Sequence, residues 1–196
     1  MAIANIYEIS NGIPYRTDLK ELVNYVNKFS DTKELLLVEI GTFEGGSTFF
    51  FSRYFKHVIT IDPYDYLEAE KKFLENLKNF NNISKIRLKS DDAVNLFSDN
   101  IIDILYIDGN HNREYISNDI KLWLPKIKQN GFISGHDYYK SEDLTEEERK
   151  WAYVGDVFPV VNEVLGNPEF KDEFTNWLFQ RKFIGLILTL CGKMMG

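Results

Sequence analysis

Short apolar runs alternate with longer amphipathic stretches along most of the chain. Leu35–Ile40 is a continuous apolar run broken only by Glu39 and closed by Gly41, the pattern of a strand buried on both faces. Phe49–Phe55 reads as a helix. His57–Asp62 reads as a second strand, stopped by Pro63. Ala69, Phe73, Leu77 and Phe80 recur at helical spacing within residues 66–80, and Ile83–Lys89 follows as a third strand. Ile101–Ile107 is a fourth, closed by Asp108-Gly109. Ile116, Ile120, Trp123, Leu124 and Ile127 define one helical face, and Gly131–Gly135 is a fifth strand. Before this alternation, Leu19, Leu22, Val23, Val26 and Phe29 predict a leading amphipathic helix with Thr17 as its N-cap. After it, residues 141–150 form a charged stretch read as a solvated helix or lid, and residues 157–165 read as helical. Asn176–Gln180 and Phe183–Leu190 are read as two closely spaced strands that must pair antiparallel.

Strand–helix alternation of this kind implies right-handed crossovers and a parallel sheet covered on both faces. The fold class expected is α/β, a Rossmann-like doubly wound sheet. With 196 residues, no internal repeat and no linker, residues 1–196 are expected to form one domain, with a leading helix inside 1–30 and a variable insert, a possible lid, at 138–156.

Charge then narrows the chemistry. Lys and Arg number 23 against 30 Asp and Glu, a net −7, which disfavours a nucleic-acid backbone as partner. The single cysteine, Cys191, excludes an internal disulfide and a cysteine zinc cage. The first residues lack a signal-peptide pattern, and the longest apolar stretch, Phe183–Leu188, is too short to span a bilayer. A cytoplasmic domain without a membrane partner is the expectation.

In an open parallel sheet, ligands bind beyond the carboxyl ends of the strands. The residues there are Glu39, Asp62, Asp91, Asp92, Asp108, His136 and Asp137, six carboxylates and an imidazole with no lysine among them. A phosphate-bearing ligand calls for a basic group. Ribose hydroxyls, an exocyclic amine and a positive centre call for acceptors instead. The loop Gly41-Thr42-Phe43-Glu44-Gly45-Gly46-Ser47-Thr48 agrees: it nearly matches a phosphate-binding loop, but Ser47 stands where the lysine must be. It also fails the dinucleotide fingerprint, because Phe43 occupies the second glycine, whereas Asp62, about twenty residues on, is placed for ribose hydroxyls.

Val38–Ser47 resembles the first motif of class I S-adenosylmethionine-dependent methyltransferases. Ile104–His111 followed by Asn130–Tyr138 is more specific, and the set resembles the small bacterial subgroup called methyltransferase domain 24. The resemblance implies a seven-stranded sheet of order 3-2-1-4-5-7-6 with strand 7 antiparallel. It also implies S-adenosyl-L-methionine bound by Glu39, Gly41, Thr42, Phe43, Gly45 and Ser47 in the first motif, by Asp62 at the ribose, and by Asp91 or Asp92 at adenine. Asp108 would sit near the methyl-bearing sulfonium. Similar metal-dependent O-methyltransferases carry a lysine base where His111 stands. By that likeness the catalytic residues are His111, Asp108 and His136, and a Mg²⁺ or other divalent ion would take Asp108, His136 and Asp137. Tyr138 departs from the paired metal ligands of those enzymes unless the register moves by one.

The activity implied is methylation of a hydroxyl on a small-molecule acceptor such as a sugar or secondary metabolite. A related hydroxylase of the same fold and a non-catalytic cofactor-binding subunit are the alternatives. Of the aromatic residues, Tyr64 and Tyr138 are candidates to stack on a ring, and the apolar final segment is a candidate edge for a homo-oligomer.

Overall fold

The computed structural model describes residues 7–10, 13–146 and 156–182. Its sheet is built from β3 (Leu36–Ile40), β4 (His57–Ile61), β5 (Ile83–Ile86), β6 (Ile102–Ile107), β7 (Ile127–Gly135), β8 (Phe170–Lys171) and β9 (Trp177–Gln180). A separate hairpin, β1 (Tyr7–Ser10) with β2 (Ile13–Arg16), precedes it. The seven strands lie in the order β5-β4-β3-β6-β7-β9-β8. All neighbours among the first five are parallel, and β9 runs antiparallel to both β7 and β8. Numbered from β3, this is 3-2-1-4-5-7-6 with strand 7 antiparallel, the expected topology.

Because side chains alternate across a strand, each strand feeds two cores. Leu37, Val58, Ile104, Phe132 and Leu178 face one side and pack with Leu22, Val26, Phe50 and Phe51 of α1 (Lys20–Val26) and α2 (Gly46–Ser52). Val38, Ile61, Leu105, Ile133 and Phe179 face the other. There they meet α4 (Ser90–Ala93), α5 (Arg113–Trp123) and α6 (Val157–Val164) through Ala93, Ile120, Trp123 and Val160. Phe73 and Leu77 of α3 (Leu67–Leu77) close a smaller cluster with Phe49 and Tyr64.

Several boundaries depart from expectation for identifiable reasons. Pro125 ends α5 in a 3₁₀ turn at Leu124–Lys126, so Ile127 opens β7 instead of extending the helical face. A register shift between Ile102 and Ile104 lets the longer strand accommodate Asn130 at φ 64° and Gly131. α2 begins three residues early because Gly45 takes the left-handed conformation at its N-cap, φ 87°. At α1 the N-cap is Leu19 and Thr17 lies outside it; Thr17 instead supplies its carbonyl to the Lys20 amide. Asn176–Gln180 contributes the seventh strand rather than the sixth. The sixth is the two-residue Phe170–Lys171, and the strand expected at 183–190 lies outside the described residues. The charged stretch opens as a 3₁₀ turn at Ser141–Asp143 with Leu144 buried, not as a solvated helix, and residues 147–155 of the expected lid are outside the description.

Candidate active site

A cavity of about 1060 Å³ opens beyond the carboxyl ends of β3, β4, β6 and β7. Its lining includes Gly41, Thr42, Phe43, Ser47, Asp62, Asp91, Asp108, His136 and Asp137 from the sequence-predicted set. Glu39, Gly45, Asp92 and His111 do not line it.

The loop after β3 is shaped by close approach. At Gly41, φ is 85° and a Cβ would lie 2.1 Å from the Asp108 carbonyl oxygen, so only glycine lets the β3 and β6 ends meet. Asp62 organises the rest. One carboxylate oxygen accepts from the Thr42 and Phe43 amides at 2.9 and 3.1 Å, and the other from the Tyr64 amide at 2.7 Å. These bonds hold Phe43 at φ 50° and Tyr64 at φ 53°, and the carboxylate retains acceptor capacity toward the cavity. Gly45 serves packing: its Cβ would meet Phe73 and Leu77 at 2.9 Å.

Glu39 is fully buried beneath this loop and accepts from the Thr48 hydroxyl at 2.5 Å. Its Oε1 has no hydrogen-bond partner. Burial pushes its pKa up to about 7; the Ser47 and Thr48 hydroxyls moderate the rise, and the charge of Asp108 adds to it.

At the far end, Ser90, Asp91 and Asp119 line the cavity together. Asp119, on α5, accepts from the Ser90 hydroxyl at 2.5 Å, and Ser90 in turn accepts from the Trp123 indole at 2.7 Å. Burial raises Asp119 to about 6, with the Asp91 charge contributing. Asp119 and Lys89 were not among the predicted site residues. Lys89 falls beyond the end of β5, so a basic group does stand near one strand end.

The other end holds a closed ring in which basic and acidic side chains alternate. Arg16, 6% exposed, donates from Nε and Nη2 to Asp18 and from Nη1 to Asp108 at 2.8 Å. His111 lies 3.5 Å from Asp108 and 3.2 Å from Asp137. His136 lies 3.0 Å from Asp137 and 3.5 Å from Asp18, which completes the circuit. For Asp108 the burial penalty is outweighed by the His111 hydrogen bond and by the charges of Arg16, His136 and His111, so its carboxyl sits well below the usual range. For His111, burial favours the neutral ring, but the hydrogen bond to Asp108 and the charges of Asp137 and Asp108 prevail and raise its pKa. Asp137 adopts φ 58°, a conformation tolerated better by Asp than by most residues.

Among the described residues, Asp108, His111 and Asp137 offer ligand atoms that all lie within 4.8 Å of one another. His111, rather than His136, shares that position with the two carboxylates; His136 is turned toward Asp18. Sequence reasoning missed Arg16 and Asp18 altogether, because they reach the site from the hairpin and turn that precede the sheet. Of the stacking candidates, Tyr64 lines the cavity, whereas Tyr138 bonds Asn162 at 3.0 Å and packs on Phe158. His57 bonds Ser84 across β4 and β5, away from the cavity.

Residues 38–138 match the profile of methyltransferase domain 24, described as a methyltransferase domain. The chain is 32% identical over 156 residues to the uncharacterized protein R132 of Acanthamoeba polyphaga mimivirus, an alignment covering 74% of this chain and 66% of that protein. The N-methyltransferase NodS of Bradyrhizobium japonicum is similar in structure, with a TM-score of 0.56 at 13% identity over 84% of this chain and 96% of that one. Phosphoethanolamine N-methyltransferase 1 of Haemonchus contortus, solved with phosphoethanolamine and S-adenosylhomocysteine, is similar at TM-score 0.56 and 12% identity over 91% of this chain and 48% of that one. Among the described residues, no helix is long and apolar enough to cross a membrane.

Proposed function

The chain belongs to the methyltransferase domain family, and from that premise we propose that it is an S-adenosylmethionine-dependent methyltransferase acting on a hydroxyl of a small molecule. The observation that carries the reading is one cavity lined by the Gly41 turn, Asp62, Asp91, Asp108 and Asp137, with His111 held between the last two carboxylates. Acceptors for ribose and adenine thereby share a cavity with carboxylates that are paired to an imidazole. The net charge of −7 supports a small acceptor over a nucleic acid.

Bound S-adenosylmethionine supplies an electrophilic methyl group on a sulfonium; the protein has to align it and accept a proton. Asp62 receives the ribose hydroxyls while keeping the Thr42, Phe43 and Tyr64 amides in place. Asp91, which lines the cavity where Asp92 does not, accepts from the adenine amine. Asp108 faces the positive end of the cofactor. The hydroxyl proton passes by way of Asp137, which lines the cavity, to His111, and the carboxylates on either side stabilise the imidazolium that forms. Since its pKa is raised, transfer should increase with pH as His111 loses its resting proton.

A second reading has one specific observation behind it. Two carboxylates and an imidazole within 4.8 Å suit a divalent cation that takes oxygen and nitrogen ligands, and Arg16 leaves Oδ1 of Asp108 available. In that arrangement Asp108, His111 and Asp137 would hold the ion, which would polarise the acceptor hydroxyl. His111 could not then act as base, and His136, backed by Asp18, would be the remaining imidazole.

The test is transfer of isotopically labelled methyl from S-adenosylmethionine to a panel of small hydroxylated compounds, with and without chelator. Label in a product with His111→Ala inactive supports the reading. Cofactor binding with oxidation rather than methylation of an acceptor would favour the hydroxylase alternative.

A further inference from the structure

The cavity is acidic, yet one buried arginine forms part of its wall, and two carboxylates do not exhaust its donors. A guanidinium carries five N–H groups. Arg16 spends two on Asp18 and one on Asp108, which leaves two. Among the described residues, Arg16 is the only arginine lining the cavity, and the one lysine there, Lys89, follows β5 beside Ser90 and Asp91. Arg16 stands elsewhere, in the corner where Asp108 meets Gly41.

That corner has a chemical requirement. An adenosyl amino acid laid with its ribose at Asp62 and its adenine at Asp91 brings its amino-acid end to Asp108. This end is a zwitterion. Its ammonium and the neighbouring sulfonium are served by Asp108, but its carboxylate requires a donor, and a paired fork is the usual arrangement. We infer that Arg16 binds the α-carboxylate of the cofactor through the N–H groups left open by Asp18 and Asp108. The hairpin β1–β2, outside the 38–138 core that matches the family, is thereby part of the cofactor site. The inference rests on the adenosylmethionine reading above. A carboxylate on the acceptor would present the same chemistry to Arg16, and the experiment separates the two sources.

The experiment is a thermodynamic cycle between residue and carboxylate. Full-length wild-type protein, Arg16→Met and Arg16→Lys are titrated calorimetrically with S-adenosylhomocysteine and with S-adenosyl-3-thiopropylamine, which keeps the amine and lacks only the carboxylate. Wild-type protein should bind the carboxylate-bearing ligand about tenfold or more tightly than the other. In Arg16→Met the two affinities should converge, and Arg16→Lys should recover part of the difference. The decarboxylated ligand also serves as the folding control within each variant. If Arg16→Met binds neither ligand, Arg16→Lys alone decides: a preference as large as that of wild-type protein overturns the inference, and a reduced one supports it. Equal affinities in wild-type protein, or an undiminished preference in the variants, would assign the arginine to neutralising its two aspartates or to an acceptor carboxylate, and the inference fails. Wild-type protein that binds neither ligand would overturn the cofactor reading itself, a result distinct from either of these.

Discussion

Glu39 is a carboxyl group placed where its charge is costly, and its replacement gives a prediction with a defined sign. The side chain is fully buried, one oxygen is bonded to Thr48 and the other has no partner. Its pKa is raised by burial from 4.5 to about 7. Between those two values the native protein holds a proton that the unfolded chain has released, so stability falls as pH rises through the window and levels off above about 7. At about 1.4 kcal/mol per pH unit the full fall is ~3 kcal/mol, which corresponds to a melting-temperature change of roughly 6–12 °C in a protein of this size. Glu39→Gln keeps the shape and an acceptor for Thr48 but has no charge to bury. It should match the parent near pH 4.5 and exceed it by ~2–3 kcal/mol at pH 8. The assay is urea denaturation of both proteins at four pH values from 5 to 8. Asp119, raised to about 6 by burial, slopes the same way in both proteins and cancels in the difference. A stability difference that stays constant across this range would show that Glu39 is ionised throughout, and the reasoning from burial would be wrong.

Other substitutions test the loop and the charged ring. Asp62→Ala removes the acceptor for three amides at about 1 kcal/mol net each, so unfolding free energy should drop by about 3 kcal/mol; a loss below 1 kcal/mol in denaturant titration would contradict the structural role. Gly41→Ala forces a Cβ to within 2.1 Å of the Asp108 carbonyl at a left-handed φ. It should lower both melting temperature and S-adenosylhomocysteine affinity, and a variant that melts and binds like the parent would refute the close approach. If the divalent-ion reading is correct, Mn²⁺ should bind once per chain by electron paramagnetic resonance and Asp137→Ala should abolish that site. Absence of binding to the wild-type protein at millimolar Mn²⁺ leaves His111 as the base.

The elements most legible in the sequence were those with the strongest burial. Leu36–Ile40 and Ile102–Ile107, covered on both faces, run as nearly unbroken apolar segments, and the residues closing them lie at one sheet edge whatever the details of packing. That is why Gly41 and Asp108 were legible as strand-end residues, as was Asp62 after His57–Ile61. The strand Phe170–Lys171 was not legible because two residues leave no periodicity. Pro125 was a readable stop that the apolar face around it obscured. Arg16 is a different kind of failure. Its partner Asp108 is 92 positions away, and no local pattern announces that a hairpin arginine folds into an acidic cavity. Seen from the sequence, the strand ends were simply acidic; in the fold that acidity is answered by Arg16 and by two imidazoles arranged around Asp18, Asp108 and Asp137.

The central claim is that this cavity holds an adenosyl cofactor, and calorimetric titration of the full chain with S-adenosylhomocysteine tests it most directly. One site per chain, with affinity reduced at least tenfold by Asp62→Ala, is the predicted result. No detectable heat of binding to the wild-type protein at millimolar ligand, or equal affinity in the variant, would contradict it.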